Sequence, residues 1–245
     1  MDKLFDFTGK VVLVTGGSRG LGLEMVRAFA MRGADVVITS RKQDACEAVA
    51  QEVRALGRRA LAIGAHAGKW SEIDGMLDRA YSEFDYIDIA INNAGMSPAM
   101  PSPDVSEELF DKVLALNFKG PFRLAAQIGK RMMEGIGGVI INVSSSGALR
   151  PLPGVVPYSA AKAALNAMTR SLAAEFAPKV RVNTLSAGPF LTDIAKAWTP
   201  EMRETSSNLL GRPGRPEEVV TAALTLASPH SSFITGAMLQ VDGGL

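Results

Sequence analysis

Cysteine and histidine are scarce in this chain. Cys46 is the only cysteine among 245 residues, and the two histidines, His66 and His230, stand far apart in the sequence. A single thiol excludes an intramolecular disulfide and any multi-cysteine metal site. Nothing in the composition calls for an oxidising compartment, and we expect no metal site.

Excess charge and long apolar runs are also missing. The 26 Lys and Arg residues against 25 Asp and Glu residues give a net charge of +1, which provides no electrostatic attraction for nucleic acid or an anionic membrane. No apolar run approaches the roughly 18 residues of a membrane-spanning helix. The start of the sequence lacks the basic and apolar regions of a secretory signal. We therefore predict a cytoplasmic protein that binds neither nucleic acid nor a membrane.

What the chain does contain is a regular alternation of strand-like and helix-like segments. The strand-like segments are short, rich in β-branched residues and apolar on both faces; they cover residues 10–15, 35–40, 60–63, 87–91, 138–144, 179–186 and 238–242. The helix-like segments lie between them, at about 20–32, 43–57, 69–84, 106–133, 158–177 and 216–228. This alternation is typical of a parallel sheet covered by helices on each side. We predict a doubly wound α/β fold of the Rossmann type with about seven strands.

No linker divides the chain. It has no low-complexity segment, charge block or internal repeat, so we predict a single domain over residues 1–245. The proline-containing stretch at 97–103 is typical of a loop and not of a domain boundary. A second weakly patterned stretch, at about 188–215, is long enough to form a lid over a binding site.

A glycine-rich turn follows the first predicted strand. Residues Thr15 to Gly22 read TGGSRGLG and lead directly into a helix. Glycines permit a sharp turn and a close approach of backbone to a ligand, and a helix start directs unpaired N–H groups at an anion. We expect the turn to bind the pyrophosphate of a dinucleotide, through Gly16, Ser18, Arg19, Gly20, Leu21 and Gly22. The spacing departs from the usual G-x-G-x-x-G, so a tight turn without a ligand is the alternative.

The end of the second strand favours the phosphorylated form of the cofactor. An acidic residue there would bind the ribose hydroxyls of NAD, but this chain has Ser40 followed by Arg41, with Arg19 in the glycine turn. Two guanidinium groups suit a 2′-phosphate, because each charge-assisted hydrogen bond is worth roughly 1.5 to 3 kcal/mol. We therefore expect NADP(H) to be preferred, with NAD(H) possible. Two solvated surface arginines are the alternative interpretation.

Further motifs make the chain resemble a known family. They are T-G-x-x-x-G-x-G at 15–22, N-N-A-G at 92–95, Asn117 in LNFKG, Ser145, Tyr158-x-x-x-Lys162, VRVNTLSAG at 180–188 and a VDGG ending. Together, and over essentially the whole sequence, they resemble the short-chain dehydrogenases/reductases of about this length. The resemblance implies an NAD(P)-dependent oxidoreductase with a catalytic tetrad of Asn117, Ser145, Tyr158 and Lys162. It also implies that Asn117 anchors a water and that Lys162 reaches the nicotinamide ribose.

The spacing of Tyr158 and Lys162 has a chemical meaning of its own. Residues four apart lie on one face of a helix, so the phenol and the ammonium can reach a common point. An ammonium at about 4 Å would lower the phenol pKa from its usual ~10 by about three units at most. Tyr158 would then exchange a proton with a carbonyl or alcohol oxygen that Ser145 holds. The structural alternatives are a solvated Tyr–Lys pair, a serine-rich turn and, for Asn117, a helix irregularity.

The resemblance also implies secondary cofactor contacts, which come from Asn93, Ala94, Gly95, Gly188 and Thr192. Two departures from the family pattern concern the cofactor. His66 and Ala67 stand where many relatives have Asp-Val, so a carboxylate contact to adenine is absent, and His66 either replaces it or is simply exposed. Ala187 stands before Gly188 in place of a proline, which leaves the local backbone less restricted.

Loops after the strand ends supply mostly apolar pocket candidates: Met96, Ser97, Leu149, Pro151, Val155, Phe190, Ile194 and Trp198. They favour a ketone or secondary alcohol with apolar bulk, although core packing explains such residues equally well. Arg150 could recruit an anionic group or could be solvated. The helix that contains Tyr158 has only a narrow polar edge, so a second subunit could cover its other side. Family members commonly assemble through this helix, and we expect a homotetramer.

Three functions fit these observations. The first is an NADPH-dependent carbonyl reductase or alcohol dehydrogenase acting on a small molecule. The second is an epimerase or dehydratase, because fold and cofactor alone do not determine the reaction. The third is an NADP-binding sensor without turnover. The presence of Ser145, Tyr158 and Lys162 argues against the third, because a sensor needs no proton donor beside the nicotinamide.

Overall fold

Seven parallel strands form the central sheet. In the computed structural model, which describes residues 3–245, the strands are Val11–Thr15 (β1), Asp35–Ser40 (β2), Ala60–Gly64 (β3), Ile89–Asn92 (β4), Gly138–Ser145 (β5), Val180–Ala187 (β6) and Met238–Val241 (β7). Their order is β3-β2-β1-β4-β5-β6-β7, and each neighbouring pair is parallel. The strands lie where the sequence predicts them, so the predicted doubly wound α/β fold is confirmed.

Helices cover both faces of this sheet. The α-helices of the described residues are Gly20–Met31 (α1), Gln43–Ala55 (α2), Trp70–Glu83 (α3), Glu107–Leu114 (α4), Gly120–Glu134 (α5), Val156–Phe176 (α6), Pro200–Glu204 (α7) and Val220–Ala227 (α8). Val12 and Val14 of β1 belong to the core under α1, α2 and α8, whereas Leu13 belongs to the core under α3, α5 and α6. Burial on both faces explains why the strand sequences are continuously apolar.

The strand order reverses between β1 and β4. β1 pairs with β2 on one side and with β4 on the other. The connections that follow these strands therefore leave in opposite directions and open a crevice at the carboxyl ends of the strands. The glycine turn, the Asn-Asn-Ala-Gly motif and Ser145 all follow strands at this edge, so the fold brings together segments that the sequence analysis singled out.

The single helix predicted at 106–133 is interrupted. α4 and α5 are joined by a π turn, Ala115–Lys119. The Asn117 side-chain amide donates to the carbonyl of Val113 at 2.9 Å, and Pro121 has no N–H to donate to the carbonyl of Asn117. The proline thus removes one hydrogen bond of a regular α-helix, and a π turn of this kind often marks a functional site.

The helix that contains the Tyr-x-x-x-Lys motif begins earlier than predicted. α6 starts at Val156, with Pro157 in its first turn. Proline suits a helix start because its missing N–H would be unpaired there in any case. Tyr158 therefore lies in the first turn of α6 and Lys162 in the second, close to the crevice.

Residues 188–215, which we call the lid segment, are more regular than their sequence suggests. They contain a 3-10 helix, Asp193–Ala197, and the short helix α7. The two ends of the segment are joined, because the N–H of Leu191 donates to the carbonyl of Gly214 at 2.9 Å and the N–H of Gly214 donates to that of Pro189 at 2.8 Å. The segment is thus closed at its base, and its role as a lid stays a prediction.

Gly120 sets how closely α5 approaches the loop after β3. A Cβ at Gly120 would lie 1.7 Å from the carbonyl oxygen of Ala67, whereas a Cβ at Gly75, on the exposed side of α3, would meet no described atom within 4 Å. Gly120→Ala should therefore lower the free energy of unfolding by about 1–3 kcal/mol through overpacking. The control Gly75→Ala should raise it by about 0.5–1 kcal/mol through helix propensity. Urea unfolding followed by circular dichroism measures both, and a Gly120→Ala variant as stable as wild type would contradict the close contact.

Candidate active site

The glycine turn connects β1 to α1 at the crevice. Gly16 (φ 67°) and Gly20 (φ 54°) adopt left-handed backbone conformations that other residues rarely take. α1 begins at Gly20, and the side chain of its N-cap residue, Arg19, makes no capping hydrogen bond. The first N–H groups of α1 and the positive end of its dipole are therefore available to an anion. This arrangement fits the pyrophosphate of a dinucleotide.

Thr15 and Asn93 hold the turn against the end of β4. The Thr15 hydroxyl oxygen accepts hydrogen bonds from the N–H groups of Asn93 at 3.0 Å and Ala94 at 3.1 Å. The Asn93 amide donates to the carbonyls of Thr15 at 2.9 Å and Gly16 at 3.3 Å. A Cβ at Gly22 would lie 2.2 Å from the Gly16 oxygen, so only glycine permits this contact. The side-chain amide nitrogen and the backbone N–H of Asn93, a predicted cofactor contact, are therefore both engaged within the protein.

Ser40 and Arg41 end β2 beside the glycine turn. The Ser18 hydroxyl donates to the Ser40 hydroxyl oxygen at 2.9 Å, so two predicted cofactor contacts lie together. Arg41 is exposed and has no carboxylate partner in the part of the chain that the structure describes. Arg19 instead forms an ion pair with Asp193 of the lid segment at 2.8 Å. One of the two arginines thus already has an anionic partner, which is not predicted from the sequence.

Cys46 and His66 both make contacts within the protein. The Cys46 sulfur lies 3.1 Å from the Ser40 hydroxyl oxygen, and burial raises the pKa of its thiol. His66 is half-buried, and its Nδ1 accepts a hydrogen bond from the N–H of Gly68 at 3.0 Å. The interpretation of His66 as a simply exposed residue is therefore wrong.

The structure brings the four predicted catalytic residues together. Ser145 ends β5, and its hydroxyl lies close enough to that of Tyr158 to affect the pKa of the phenol. Lys162 Nζ lies 5.8 Å from the centroid of the Tyr158 ring. Gly95 lies beside Asn117 and Lys162, since a Cβ at Gly95 would be 2.8 Å from Asn117 Oδ1 and 3.7 Å from Lys162 Nζ. The cluster is thus assembled from β5, the π turn and α6.

Asn117 is fully buried and positions the loop after β4. Its amide nitrogen donates to the carbonyl of Met96 at 2.9 Å as well as to that of Val113 at 2.9 Å. Its Oδ1 accepts from the N–H of Met96 at 3.3 Å. Because both amide hydrogens are engaged, a contact between Asn117 and a water, as the family resemblance implies, would use one of its oxygens as the acceptor.

Burial controls the protonation of Tyr158 and Lys162. It raises the pKa of Tyr158, and the interaction with the Ser145 hydroxyl opposes part of that rise. It lowers the pKa of Lys162 to about 8. Lys162 Nζ donates to the carbonyl of Val143 at 2.8 Å. The prediction that the ammonium lowers the pKa of the phenol is wrong for these side-chain positions, because desolvation of the phenol outweighs its remaining stabilising contact.

A buried amide network, missed by the sequence analysis, supports the cluster. The Asn92 amide donates to Asn142 Oδ1 at 2.9 Å, and the Asn142 amide donates to the Thr169 hydroxyl at 2.9 Å. All three side chains are buried. The network links β4, β5 and α6, which carry or precede the catalytic candidates. The sequence signal for this network is the presence of two asparagines in otherwise apolar strands, because buried polar side chains need hydrogen-bond partners.

Gly188 and Thr192 begin the lid segment. The N–H of Gly188 donates to the carbonyl of Val241 at 3.0 Å, which places Gly188 against the C-terminal turn. Thr192 packs on the glycine turn, because a Cβ at Gly20 would lie 3.4 Å from Thr192 Cβ. Within residues 3–245, no cluster of three or more His, Cys, Asp or Glu side chains could hold a metal ion, and no helix is long and apolar enough to cross a membrane.

Comparison with known proteins finds relatives along the whole chain. Residues 16–245 match the family model described as enoyl-(acyl carrier protein) reductase. The chain is 38% identical to the NAD-dependent glycerol dehydrogenase of Listeria innocua, over 99% of this chain and 96% of that protein. A 7α-hydroxysteroid dehydrogenase complexed with NADH and 7-oxo glycochenodeoxycholic acid has a TM-score of 0.94 at 31% identity, covering 100% of this chain and 97% of that one. A short chain dehydrogenase from Burkholderia cenocepacia J2315 in complex with NADP has a TM-score of 0.91 at 33% identity, covering 97% and 98%.

These matches extend over the sheet, the glycine turn and the segments that carry Ser145, Tyr158 and Lys162. They agree with the fold and with the resemblance of the sequence motifs. The chain belongs to the short-chain dehydrogenase/reductase family and is an oxidoreductase that acts on alcohol or carbonyl groups with NAD(P).

Proposed function

We propose that this protein is an NADP(H)-dependent oxidoreductase that interconverts a ketone or aldehyde and an alcohol, with Tyr158 as the general acid and base. The contact between the Tyr158 and Ser145 hydroxyls carries the proposal. The two groups lie at the carboxyl edge of the sheet, in the same crevice as the glycine turn. Two hydroxyls in contact can both reach one substrate oxygen.

The proton chemistry follows from this contact. When bound, the nicotinamide supplies or accepts a hydride. In the reductive direction Tyr158 donates its proton to the substrate oxygen, and the raised pKa of the phenol keeps that proton in place at neutral pH. Ser145 Oγ accepts from the N–H of Gly147 at 3.1 Å. When a substrate oxygen lies against both hydroxyls, Ser145 donates its proton to that oxygen in place of the Tyr158 oxygen. In the oxidative direction Tyr158 must first lose its proton, and the Ser145 hydroxyl stabilises the resulting phenolate.

NADP(H) is the proposed cofactor, with NAD(H) also accepted. The pyrophosphate would lie on the backbone of the glycine turn, and the 2′-phosphate near Ser40, Arg41 and Arg19. The exposed Arg41, without a carboxylate partner among the described residues, supports the preference. The relatives include both forms, since the glycerol dehydrogenase is named as NAD-dependent and the two compared structures hold NADH and NADP.

The proposed substrate is a small molecule with an apolar body. Leu149 and Leu152, after β5, are each 47% exposed, and Leu191 and Ile194, after β6, are 37% and 46% exposed. These side chains lie at the same edge of the sheet as Tyr158, whereas two other pocket candidates, Val155 and Phe190, are buried within the protein. Two of the compared proteins are named as dehydrogenases of glycerol and of a hydroxysteroid. An exposed apolar surface favours a molecule of the steroid kind over one like glycerol.

The alternatives are an epimerase or dehydratase on the same scaffold and an NADP-binding sensor. The contact between Ser145 and Tyr158 argues against a sensor, because binding alone needs no proton donor at that point. Product analysis separates the reduction from an epimerisation or dehydration. The single-domain boundary, the lid role of residues 188–215 and the cytoplasmic location stay predictions.

We also propose a homotetramer. The exposed positions of α6 up to Ala167 are all apolar: Val156, Ala160, Ala163 and Ala167. Phe110 of α4 and Phe122 of α5 are 46% and 39% exposed. Apolar surface of this kind is stabilised when another subunit covers it.

Tyr158→Phe should lower turnover by about 10²–10⁴-fold, because the variant has no proton to donate. The affinity for NADPH, measured by nucleotide fluorescence, should stay close to that of wild type. A spectrophotometric screen of ketones and alcohols provides the assay, and Tyr86→Phe, at an exposed position far from the cluster, is the matched control. Full turnover of Tyr158→Phe would contradict the proton-donor role, and equal activity with NADH and NADPH would contradict the cofactor preference.

Lys162→Met should make the folded protein more stable near pH 7. The lowered pKa of Lys162, about 8, means that burying its charge costs stability below pH 8. Since the unfolded side chain keeps its proton to about pH 10.4, wild-type stability should rise between about pH 8 and that value. The cost amounts to up to about 3 kcal/mol, and loss of the bond to Val143 offsets about 1 kcal/mol. Urea unfolding from pH 6.5 to 10.5 measures the free energies of unfolding of Lys162→Met and wild type. If the difference between these two free energies does not narrow above about pH 8, that result argues against the buried charge.

Sedimentation velocity at micromolar concentration should show a tetramer. Phe110→Glu should shift the distribution toward smaller species, because it introduces a charge into the proposed interface. Leu56→Glu, at a similarly exposed apolar position after α2, should leave assembly unchanged. A stable wild-type monomer would rule the assembly out.

A further inference from the structure

An ion pair joins the lid segment to the glycine turn. Arg19 Nη1 lies 2.8 Å from Asp193 Oδ2, and the two side chains are 65% and 37% exposed. The neighbouring Thr192 packs on the same turn, against Gly20. Arg19 is also one of the two arginines assigned above to the 2′-phosphate. The same guanidinium therefore has two anionic partners that compete for it.

The lid segment holds the Asp193 carboxylate from its own side. Asp193 begins the 3-10 helix Asp193–Ala197, and its Oδ1 lies 2.5 Å from Lys196 Nζ. Arg203 of α7 donates to the carbonyls of Ala195 at 3.0 Å and Lys196 at 2.8 Å, which ties the two short helices together. The carboxylate is thus part of a folded unit, and its position opposite Arg19 is set by that unit.

We infer that Asp193 limits how strongly the protein discriminates NADP(H) from NAD(H), because it competes with the 2′-phosphate for Arg19; the inference rests on the cofactor site of the proposed function. A 2′-phosphate must either displace the carboxylate or share the guanidinium with it, and sharing brings two negative charges together. NAD(H) has no such phosphate and leaves the ion pair intact. Arg41, which has no carboxylate partner among the described residues, then supplies the discrimination that remains.

The competition also couples the cofactor to the lid segment. Coupling between two binding equilibria is reciprocal. The contact between the lid segment and the glycine turn weakens NADP(H) binding by some factor. Bound NADP(H) therefore weakens that contact by the same factor. NAD(H) leaves the contact in place, so the two cofactors produce lid segments that are anchored to different degrees.

Calorimetric titration with 2′,5′-ADP and with 5′-AMP tests the inference without turnover, because the two ligands differ only in the 2′-phosphate. Asp193→Asn should tighten 2′,5′-ADP by about two- to fivefold, the range that an exposed ion pair supports, and should leave 5′-AMP unchanged. In an Arg19→Gln background most of that gain should disappear, which a double-mutant cycle measures. Glu201→Gln, which removes an exposed carboxylate from α7, is the matched control and should change neither affinity.

Equal effects of Asp193→Asn on both ligands, or an undiminished gain in the Arg19→Gln background, would overturn the inference alone. If neither Arg19→Gln nor Arg41→Gln changes the ratio of the two affinities, the arginine assignment of the proposed function fails, and the inference fails with it. Thermal unfolding checks that each variant is folded, and Asp193→Ala provides a second removal of the charge.

Limited digestion with trypsin reports on the coupling itself. In the wild type, cleavage after Lys196 should be faster with saturating NADP⁺ than with saturating NAD⁺. In Asp193→Asn the two rates should be equal, because the ion pair is absent with either cofactor. Equal rates in the wild type would refute the coupling between cofactor and lid segment.

Discussion

The hydrogen bonds between Thr15 and the backbone of Asn93 and Ala94 are the constraint on which the site depends. The ladder between β1 and β4 ends where Val14 pairs with Ile91. Beyond that point no backbone ladder joins the two segments. The Thr15 hydroxyl holds them together instead, by accepting hydrogen bonds from the two N–H groups. The Asn93 side-chain amide in turn donates hydrogen bonds to the carbonyls at the start of the glycine turn. Gly95 follows two residues later, so the same contact sets its distance from Asn117 and Lys162.

Much of the fold could be predicted because its signals are local. β-branched runs such as Val11–Thr15 identify strands directly, and alternation with helices then determines a parallel sheet. The pairing of Tyr158 with Lys162 is equally local, because helix geometry places residues four apart on one face. The place of Ser145 beside them depends on β5 ending at the same edge as α6 begins, which the doubly wound order supplies.

The features that sequence reasoning missed depend on contacts between distant segments. The position of the loop after β4 depends on the bond from Asn117 to Met96, 21 residues away in the sequence. The pKa of Tyr158 reflects the sum of the atoms that surround it, and a single neighbouring charge four residues away does not decide it. Asp193 meets Arg19 only because the lid segment folds back over the glycine turn. In each case a long-range contact outweighs the pattern nearby.

The burial of Cys46 makes the folded protein unreactive toward thiol reagents. Its sulfur is enclosed next to Ser40, and its raised pKa keeps it in the poorly nucleophilic protonated form. Since the chain has no other cysteine, an engineered cysteine at any exposed position would be the single labelling site. A fluorophore or spin label placed on the lid segment would then report on that segment without a background signal from the native chain.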